Sequence, residues 1–369
     1  MNKPNIAFLS VFYPYRGGIS QFNNELYQAL KPLCEIKAYN FKRQYPSLLF
    51  PGKTQLVDTK DPNPGIDAPA LLDSINPLSF FSTAKIIRQQ KPNVVLTSYW
   101  MPFFAPSLGN TIHKIKAKKI SILHNVIPHE KRKSDDILNR YYLKKNDGFI
   151  VLSDTVKNQL LHYLPNANYL QTPHPVYNHF GEKLDKNLAK NQLGINPNRK
   201  VILFFGFIRK YKGLDILIEA LANIQEPYSL LIAGESYDDF NEYQKLLDAF
   251  NIRDEKICSH VHYITDQDVK LYFSASDICA LPYRSATQSG IAAVAKHFEV
   301  PMVVSPVGEL PNEVHHLKTG FICEDISAAA FSKGIQNVLL NQNQYCINTQ
   351  QEKVENTWQN FAQKLIEFI

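Results

Sequence analysis

Strand-length apolar runs alternate with helix-length amphipathic stretches almost from end to end of this chain, and no other feature restricts its fold as tightly. Asn5–Val11 (NIAFLSV) is followed by a Gly-Gly turn and a helical pattern from about Ser20 to Leu30. Cys34–Tyr39, Asn93–Thr97, Lys119–Leu123 and Asp147–Leu152 read as further strands, with helical stretches near 81–90, 135–145 and 154–163. Parallel strands buried on both faces are near-continuous apolar runs, and each needs a helix-length crossover before the next. The alternation therefore predicts βαβ units and a parallel sheet. Pro173-His174-Pro175 closes this series, and 178–199 is polar, with Asn-Pro-Asn at 196–198. The pattern then restarts with Val201–Phe205, a helix from Leu214 to about Ile224, Ser229–Ala233, a helix near 239–250 and His260–Tyr263. Asp277–Leu281, a helix near 289–298, Met302–Ser305 and a closing amphipathic helix over 351–367 follow. A chain of 369 residues is long for one domain and suits two. The predicted organisation is α/β, with two Rossmann-like doubly wound domains, 1–180 and 181–369, facing a cleft, and a last helix available to pack back on the first domain.

The halves differ in charge. Residues 1–180 hold 22 Lys+Arg against 11 Asp+Glu, and 181–369 hold 18 against 23. A basic half suits an anionic lipid surface or an anionic acceptor, or is a solvated face without a partner. No nucleic-acid-binding motif accompanies it, so nucleic acid is not an expected partner. Met1-Asn2-Lys3-Pro4 leads straight into the first apolar run, without the apolar core and cleavage site of a signal peptide. No stretch approaches the roughly 18 apolar residues of a membrane span. Cys34, Cys258, Cys279, Cys323 and Cys346 are scattered and form no CxxC pair, which suits free thiols in a reducing compartment and no metal site. A cytoplasmic protein is the expectation.

Four strand ends carry residues suited to chemistry. Gly17-Gly18, after the first strand, allows close backbone approach to a ligand, and the helix that follows offers free N–H groups. The loop lacks the GxGxxG of a dinucleotide site. Gly206-Phe207-Ile208-Arg209-Lys210-Tyr211-Lys212-Gly213 places three cations at a strand end, where Arg209 and Lys212 are able to grip a diphosphate. Fixed cations there would stabilise the charge that develops on a departing diphosphate. Thr287-Gln288-Ser289-Gly290 puts hydroxyl, amide and glycine at a helix start, an anion cradle or a plain N-cap. His124, with His129 and Glu130 on the same loop, completes the set.

Together these segments resemble a retaining GT-B glycosyltransferase of family four, the glycosyl transferases group 1. The likeness is strongest over 200–325. Gly206…Arg209…Lys212-Gly213 resembles the family's diphosphate loop, and Leu231–Glu235 its next strand end. Val261–Thr265 with Leu271–Pro282, Val300–Val304, Val307–Glu313 and Gly320–Ile322 resemble later family motifs, and Gly17-Gly18 and His124 fit its glycine loop and acceptor-side histidine. The resemblance implies sugar transfer, with retention and without metal, from a UDP- or GDP-sugar bound by the second domain to a glycan or lipid-linked acceptor bound by the first. No other cofactor is implied. It assigns Arg209 and Lys212 to the diphosphate, Thr287, Gln288, Ser289 and Gly290 to phosphate or sugar, Gly17 and Gly18 to the donor phosphate side, His124 to sugar or acceptor, and Glu235 and Tyr263 to the vicinity of the nucleotide.

The chain departs from the family pattern in two respects. Its paired glutamates fall at Ala286 and Val294, with Gln288 and Ser289 as replacements for the first, and the position nearest its arginine is Phe207, two residues before Arg209. A non-catalytic GT-B paralogue acting as a binding or partner subunit is therefore the alternative reading. The segments 45–52, 77–81 and 100–104 are apolar and lie in the basic half. Exposed, they would suit peripheral contact with the inner face of an anionic membrane; packed inward, they are core.

Overall fold

The computed structural model describes residues 3–46, 54–57, 65–127, 132–175, 180–237, 239–286, 289–352 and 357–369. They fall into two compact units: one runs to Pro175 and includes the C-terminal helix, and the other is formed by the residues between.

In the first unit β1 (Asn5–Leu9), β2 (Glu35–Arg43), β3 (Ala70–Asp73), β4 (Val94–Tyr99), β5 (Lys118–Leu123), β6 (Gly148–Val151) and β7 (Tyr169–Gln171) form one sheet in the order β3-β2-β1-β4-β5-β6-β7. All its pairings are parallel. The crossovers carry α1 (Gly18–Leu30), α2 (Pro77–Gln89), α3 (Ala105–His113), α4 (Asp135–Leu143) and α5 (Asp154–Tyr163). Chain direction reverses at β1, so right-handed crossovers put α1 on one face and α2 to α5 on the other. Helices α2, α3 and α4 accordingly pack side by side. β4 is buried along its whole length, as a strand covered on both faces must be.

The second unit begins with α6 (Lys186–Gln192), then alternates β8 (Lys200–Phe205), α7 (Leu214–Leu221), β9 (Tyr228–Ala233), α8 (Phe240–Ala249), β10 (Ile257–His260), α9 (Asp266–Ala275), β11 (Ile278–Leu281), α10 (Gly290–His297), β12 (Met302–Val304) and β13 (Gly320–Ile322), and ends with α11 (Ala328–Leu340) and α12 (Gln342–Glu352). Its sheet runs β10-β9-β8-β11-β12-β13, again parallel. At the amino edge Asp277, almost fully buried, accepts from the Val201 N–H at 2.8 Å and from Gln342, and pairs with Lys186 at 2.8 Å and Lys190 at 3.4 Å. One carboxylate thus ties α6, β8 and α12 together. Burial opposes its ionisation, but Lys186 and these hydrogen bonds hold it below the usual carboxylate range.

The closing segment differs from the single helix expected over 351–367. It splits into α12 and α13 (Trp358–Phe368), and Thr357 caps α13 by accepting from the Asn360 N–H at 3.2 Å. Helix α13 belongs to the first unit, where Trp358 and Phe361 pack edge-on against Phe22 of α1 at 5.0 and 5.6 Å. Three strands escaped the sequence reading, β3, β7 and β13, all short edge strands, and β10 lies three residues earlier than the run His260–Tyr263. Helices α3, α6, α9 and α11 also escaped it; in α3, Pro106, Gly109 and Thr111 are poor helix formers. Gly109 is there because the Tyr141 ring lies against it; a Cβ would stand 2.8 Å from the ring.

Candidate functional site

In the second unit the loops after β8, β9, β11 and β12 converge at the carboxyl edge of the sheet. Beyond β8 the chain continues beside the end of β9: the Ile208 N–H donates to the Glu235 carbonyl at 2.9 Å, the Tyr237 N–H to the Ile208 carbonyl at 3.1 Å, and Phe207 stacks on Tyr237 at 4.8 Å. Arg209 then caps a single 3-10 turn, Lys210–Lys212. Gly213 ends that turn with φ 69°, and a Cβ there would lie 2.0 Å from the Pro282 carbonyl oxygen after β11. Gly308, after β12, stands equally close to the Ala286 carbonyl, with its missing Cβ position 1.5 Å away. Side chains are excluded at both contacts.

Arg284 fastens this junction. Its guanidinium forks onto Asp215 at 2.9 and 2.6 Å and donates to the Lys210 carbonyl at 2.8 Å, while its backbone N–H donates to the Tyr211 carbonyl at 2.7 Å. The loop after β11 is thereby clamped to the cationic turn. The Arg284 hydrogen bonds and charge hold Asp215 below the usual carboxylate range although burial opposes this.

Lys212 is the unusual member of the group. Its side chain is only 8% exposed, and among the described residues no carboxylate pairs with it. The ammonium lies 5.0 Å from the centre of the Tyr283 ring, and a Cβ on Gly206 would stand 3.2 Å from Nζ. Burial pulls the Lys212 pKa down, and burial likewise keeps the Tyr283 phenol protonated. The same Gly206 position meets Ile291, in the first turn of α10, at 3.3 Å. Ser289 caps α10, with Oγ accepting from the Ala292 N–H at 3.4 Å, and Gly290 is its first residue. A buried cation and a helix N-terminus thus flank one glycine, an arrangement suited to an anion. Arg209 is half-buried, with its guanidinium 5.8 Å from the Tyr211 ring.

The structure brings Arg209, Lys212, Ser289 and Gly290 to this edge. Glu235 is nine-tenths buried at the end of β9, and its backbone joins the Ile208 ladder. Tyr263 is half-buried one strand further out, in the loop before α9 rather than on a strand. Thr287 and Gln288 lie outside the described residues. Val294 is buried in α10 at 4% exposure and Ala286 at 7%, so no carboxylate stands at either position. Tyr283, Arg284 and Ile291 were missed from sequence: two are strand-end or helix residues of ordinary type, and nothing in Arg284's neighbourhood marks its partner Asp215, 69 residues away.

In the first unit Gly17 caps α1 with φ 108° and Gly18 begins it, and a Cβ at either would meet nothing within 4 Å. His124 follows β5, and its N–H donates to the Tyr99 carbonyl at 2.9 Å. Its ring, 2% exposed, packs edge-on against Phe22 at 4.7 Å. Burial, aided by the nearby His174, pushes its pKa down to about 3, so it is a neutral imidazole at physiological pH. His129 and Glu130 lie outside the described residues. The apolar segment 100–104 is not an exposed loop: Phe104 is fully buried, Phe103 stacks on Tyr45 at 5.9 Å, and Trp100 Nε1 donates to the Tyr45 hydroxyl at 2.9 Å. Of segment 45–52 only Tyr45 and Pro46 are described. Among the described residues no group of three or more His, Cys, Asp or Glu is placed to hold a metal ion, and no helix is long and apolar enough to cross a membrane.

Residues 185–360 match the family described as glycosyl transferases group 1. A D-inositol 3-phosphate glycosyltransferase of Corynebacterium aurimucosum is 27% identical over 162 residues, which is 41% of this chain and 37% of that protein. The chain spans half or less of the curated relatives it matches. Two solved structures are alike over nearly the whole chain. The sucrose-phosphate synthase of Thermosynechococcus elongatus superposes with a TM-score of 0.77 at 16% identity, covering 98% of each chain. Anabaena HepE in complex with UDP and glucose gives 0.77 at 14%, covering 99% of this chain and 98% of that one. These likenesses establish the two-sheet GT-B fold.

Proposed function

From the match of residues 185–360 to the glycosyl transferases group 1 we propose that the chain is a member of that family and transfers a sugar from a nucleotide-sugar donor, a UDP- or GDP-sugar, to a glycan or lipid-linked acceptor. The observation that carries this reading is Lys212, a buried ammonium with no carboxylate partner among the described residues, beside the N-terminus of α10. An uncompensated buried cation is costly unless an anion joins it, and a diphosphate supplies that charge. Lys212 and the first turn of α10 would hold the diphosphate, with Arg209 at its outer side. Gly206, without a Cβ, lets Lys212 and Ile291 close on the backbone there.

In the reaction the bond from the anomeric carbon to the diphosphate oxygen breaks, and the acceptor hydroxyl oxygen bonds to that carbon. The hydroxyl proton passes to the departing diphosphate, on the same face of the sugar, so configuration is retained. Negative charge grows on the diphosphate as the bond breaks, and Lys212 and Arg209 stabilise it there more than in the bound donor. His124, neutral and held against Phe22, offers a ring nitrogen to sugar or acceptor rather than a charge.

Thermal melting against UDP, GDP and their sugar conjugates tests the reading, because a ligand bound only by the folded state raises the melting point. A rise with one nucleotide family, lost in Lys212→Ala, supports it; no rise with any of them removes it. The second reading, a non-catalytic paralogue, draws on Val294 and Ala286, which leave both glutamate positions apolar. Nucleotide binding without transfer or hydrolysis of any sugar conjugate would favour it.

A further inference from the structure

The charge asymmetry of the sequence is concentrated in one place. Residues 77–146 hold 13 Lys+Arg against 3 Asp+Glu, which accounts for nearly all the excess of the first 180 residues. This segment contains α2, α3 and α4, which lie side by side on one face of the first sheet. It also contains four conspicuously exposed apolar side chains: Leu78 at 78%, Phe81 at 51%, Ile86 at 39% and Ile137 at 73%. Ile75, just before α2, is exposed at 47%.

The two outer helices present matching stripes. Positions spaced three and four apart share one helix face. Leu78, Phe81 and Lys85 make such a stripe on α2, and Ile137, Tyr141 and Lys144 make one on α4, with Arg140 beside it. Each stripe starts with an aliphatic residue in the first turn, continues with an aromatic ring and ends in a lysine. Two further lysines lie over the rings of the stripes: Lys114, just after α3, is 5.5 Å from the Phe81 ring, and Lys145 is 5.4 Å from that of Tyr141. Both helices follow strands of a parallel sheet, so their first turns, with Leu78 and Ile137, point to the carboxyl edge of that sheet. Gly17, Gly18 and His124 lie at the same edge.

We infer that the α2–α4 face of the first unit docks on an anionic lipid surface, the exposed aliphatic side chains entering the headgroup boundary and the exposed Lys85, Lys114, Arg140 and Lys144 meeting the lipid phosphates. A face that is both basic and apolar is what such an interface requires. A nucleic-acid backbone would use the cations and leave Leu78 and Ile137 without purpose. Docked in this way, α2 and α4 lie along the bilayer, and their first turns mark the edge of the unit at which Gly17, Gly18 and His124 lie. The inference goes beyond the donor chemistry and does not depend on it.

Flotation of the whole chain with phosphatidylcholine vesicles, with and without phosphatidylglycerol, tests it. The wild-type protein is expected to float with the anionic vesicles only. Lys114→Gln, Arg140→Gln and Lys144→Gln combined should weaken partitioning about a hundredfold, from three charges near the surface. Leu78→Ser with Ile137→Ser should weaken it about tenfold or more on the same vesicles. All five side chains are exposed or cover no core, so the variants should keep the wild-type melting point and its response to nucleoside diphosphate, which separates loss of docking from loss of the donor site. No flotation of the wild type, equal flotation on neutral vesicles, or flotation of both variants like the wild type would each overturn the inference. So would duplex DNA displacing the protein from vesicles while the serine variant floats undiminished.

Discussion

Replacing Lys212 with Met should make the protein more stable and at the same time unable to hold its ligand. The side chain is 8% exposed, has no carboxylate partner among the described residues, and touches the Tyr283 ring and the Gly206 backbone. Keeping an uncompensated ammonium in such a place costs several kcal/mol, and the cation–π contact returns about 2 kcal/mol. An isosteric thioether removes both terms and fits the same space. The net gain is about 1–3 kcal/mol, or about 2–10 °C in melting point for a unit of this size. The pH dependence follows from the same burial. Burial lowers the folded-state pKa of Lys212, so between that value and the unfolded value of about 10.4 the unfolded chain binds the extra proton, and stability rises with pH through the window. The penalty is complete below the folded pKa and relieved above it; in Lys212→Met this rise disappears. Nucleoside diphosphate should reverse the ranking. It supplies the missing charge in the wild type, where the loss of a charged hydrogen bond of about 1.5–3 kcal/mol predicts roughly 10–150-fold weaker binding by the variant. Differential scanning calorimetry across pH 7–11, with and without UDP or GDP, measures all three quantities. A Met variant that melts lower than wild type without ligand, and binds the nucleotide as well, would refute the reasoning.

Other parts of the second unit respond in separable ways. Gly213→Ala puts a Cβ 2.0 Å from the Pro282 carbonyl at φ 69°, so it should cost about 2–4 kcal/mol in denaturant unfolding and weaken nucleotide binding, since the loops after β8 and β11 must part. Arg284→Met cuts the clamp on Asp215 and the Lys210 carbonyl; the pair is partly exposed, so stability should fall by only about 1 kcal/mol, while calorimetric titration shows a several-fold loss of nucleotide affinity that Arg284→Lys restores only in part. Asp277→Asn leaves Lys190 buried against a neutral amide, costing about 3–5 kcal/mol. The Asp277 pKa is depressed in the fold, so its contribution is present above the unfolded value of about 3.9 and fades as pH falls through the folded one; urea midpoints of the variant should lose that acid-range slope. His124, pushed down to about 3, should show no NMR titration between pH 5 and 8, and its share of stability should fall away as pH drops from about 6.5 toward 3, where only the unfolded chain binds the proton.

The doubly wound architecture was readable because it rests on burial periodicity: runs such as Val201–Phe205 and Ser229–Ala233 are largely apolar and become buried strands. What escaped is what long-range contact decides. β7 is a three-residue edge strand whose pairing with β6 is not visible locally, and α3 forms despite Pro106, Gly109 and Thr111 because the Tyr141 ring needs the glycine. The same holds for the site. Gly206, Arg209 and Lys212 stood out as a strand-end cluster, and Ser289 as a helix cap. Tyr283 and Arg284 did not, because their roles come from partners 71 and 69 residues distant, Lys212 and Asp215. The aromatic segments misled in part. Trp100 and Phe103 pack around Tyr45, whereas 77–81 divides between buried Phe80 and exposed Leu78 and Phe81, a division set by helical phase rather than by composition.

Helix α13 gives the first unit a peculiar timetable. Phe22 lies near the start of the chain, and the rings that cover it, Trp358 and Phe361, are more than 330 residues later. On the ribosome the sheet of β1 to β7 emerges first but waits, its α1 face uncovered, while the whole of the second unit is synthesised and folds. Contacts so far apart in sequence close slowly, and exposed aromatic surface in that interval invites chaperone binding or self-association. Nascent chains stalled before residue 358 should hold a protease-resistant second unit beside a first unit still open to cleavage. The order of translation is thus the reverse of the order of completion: the half that is made last finishes first.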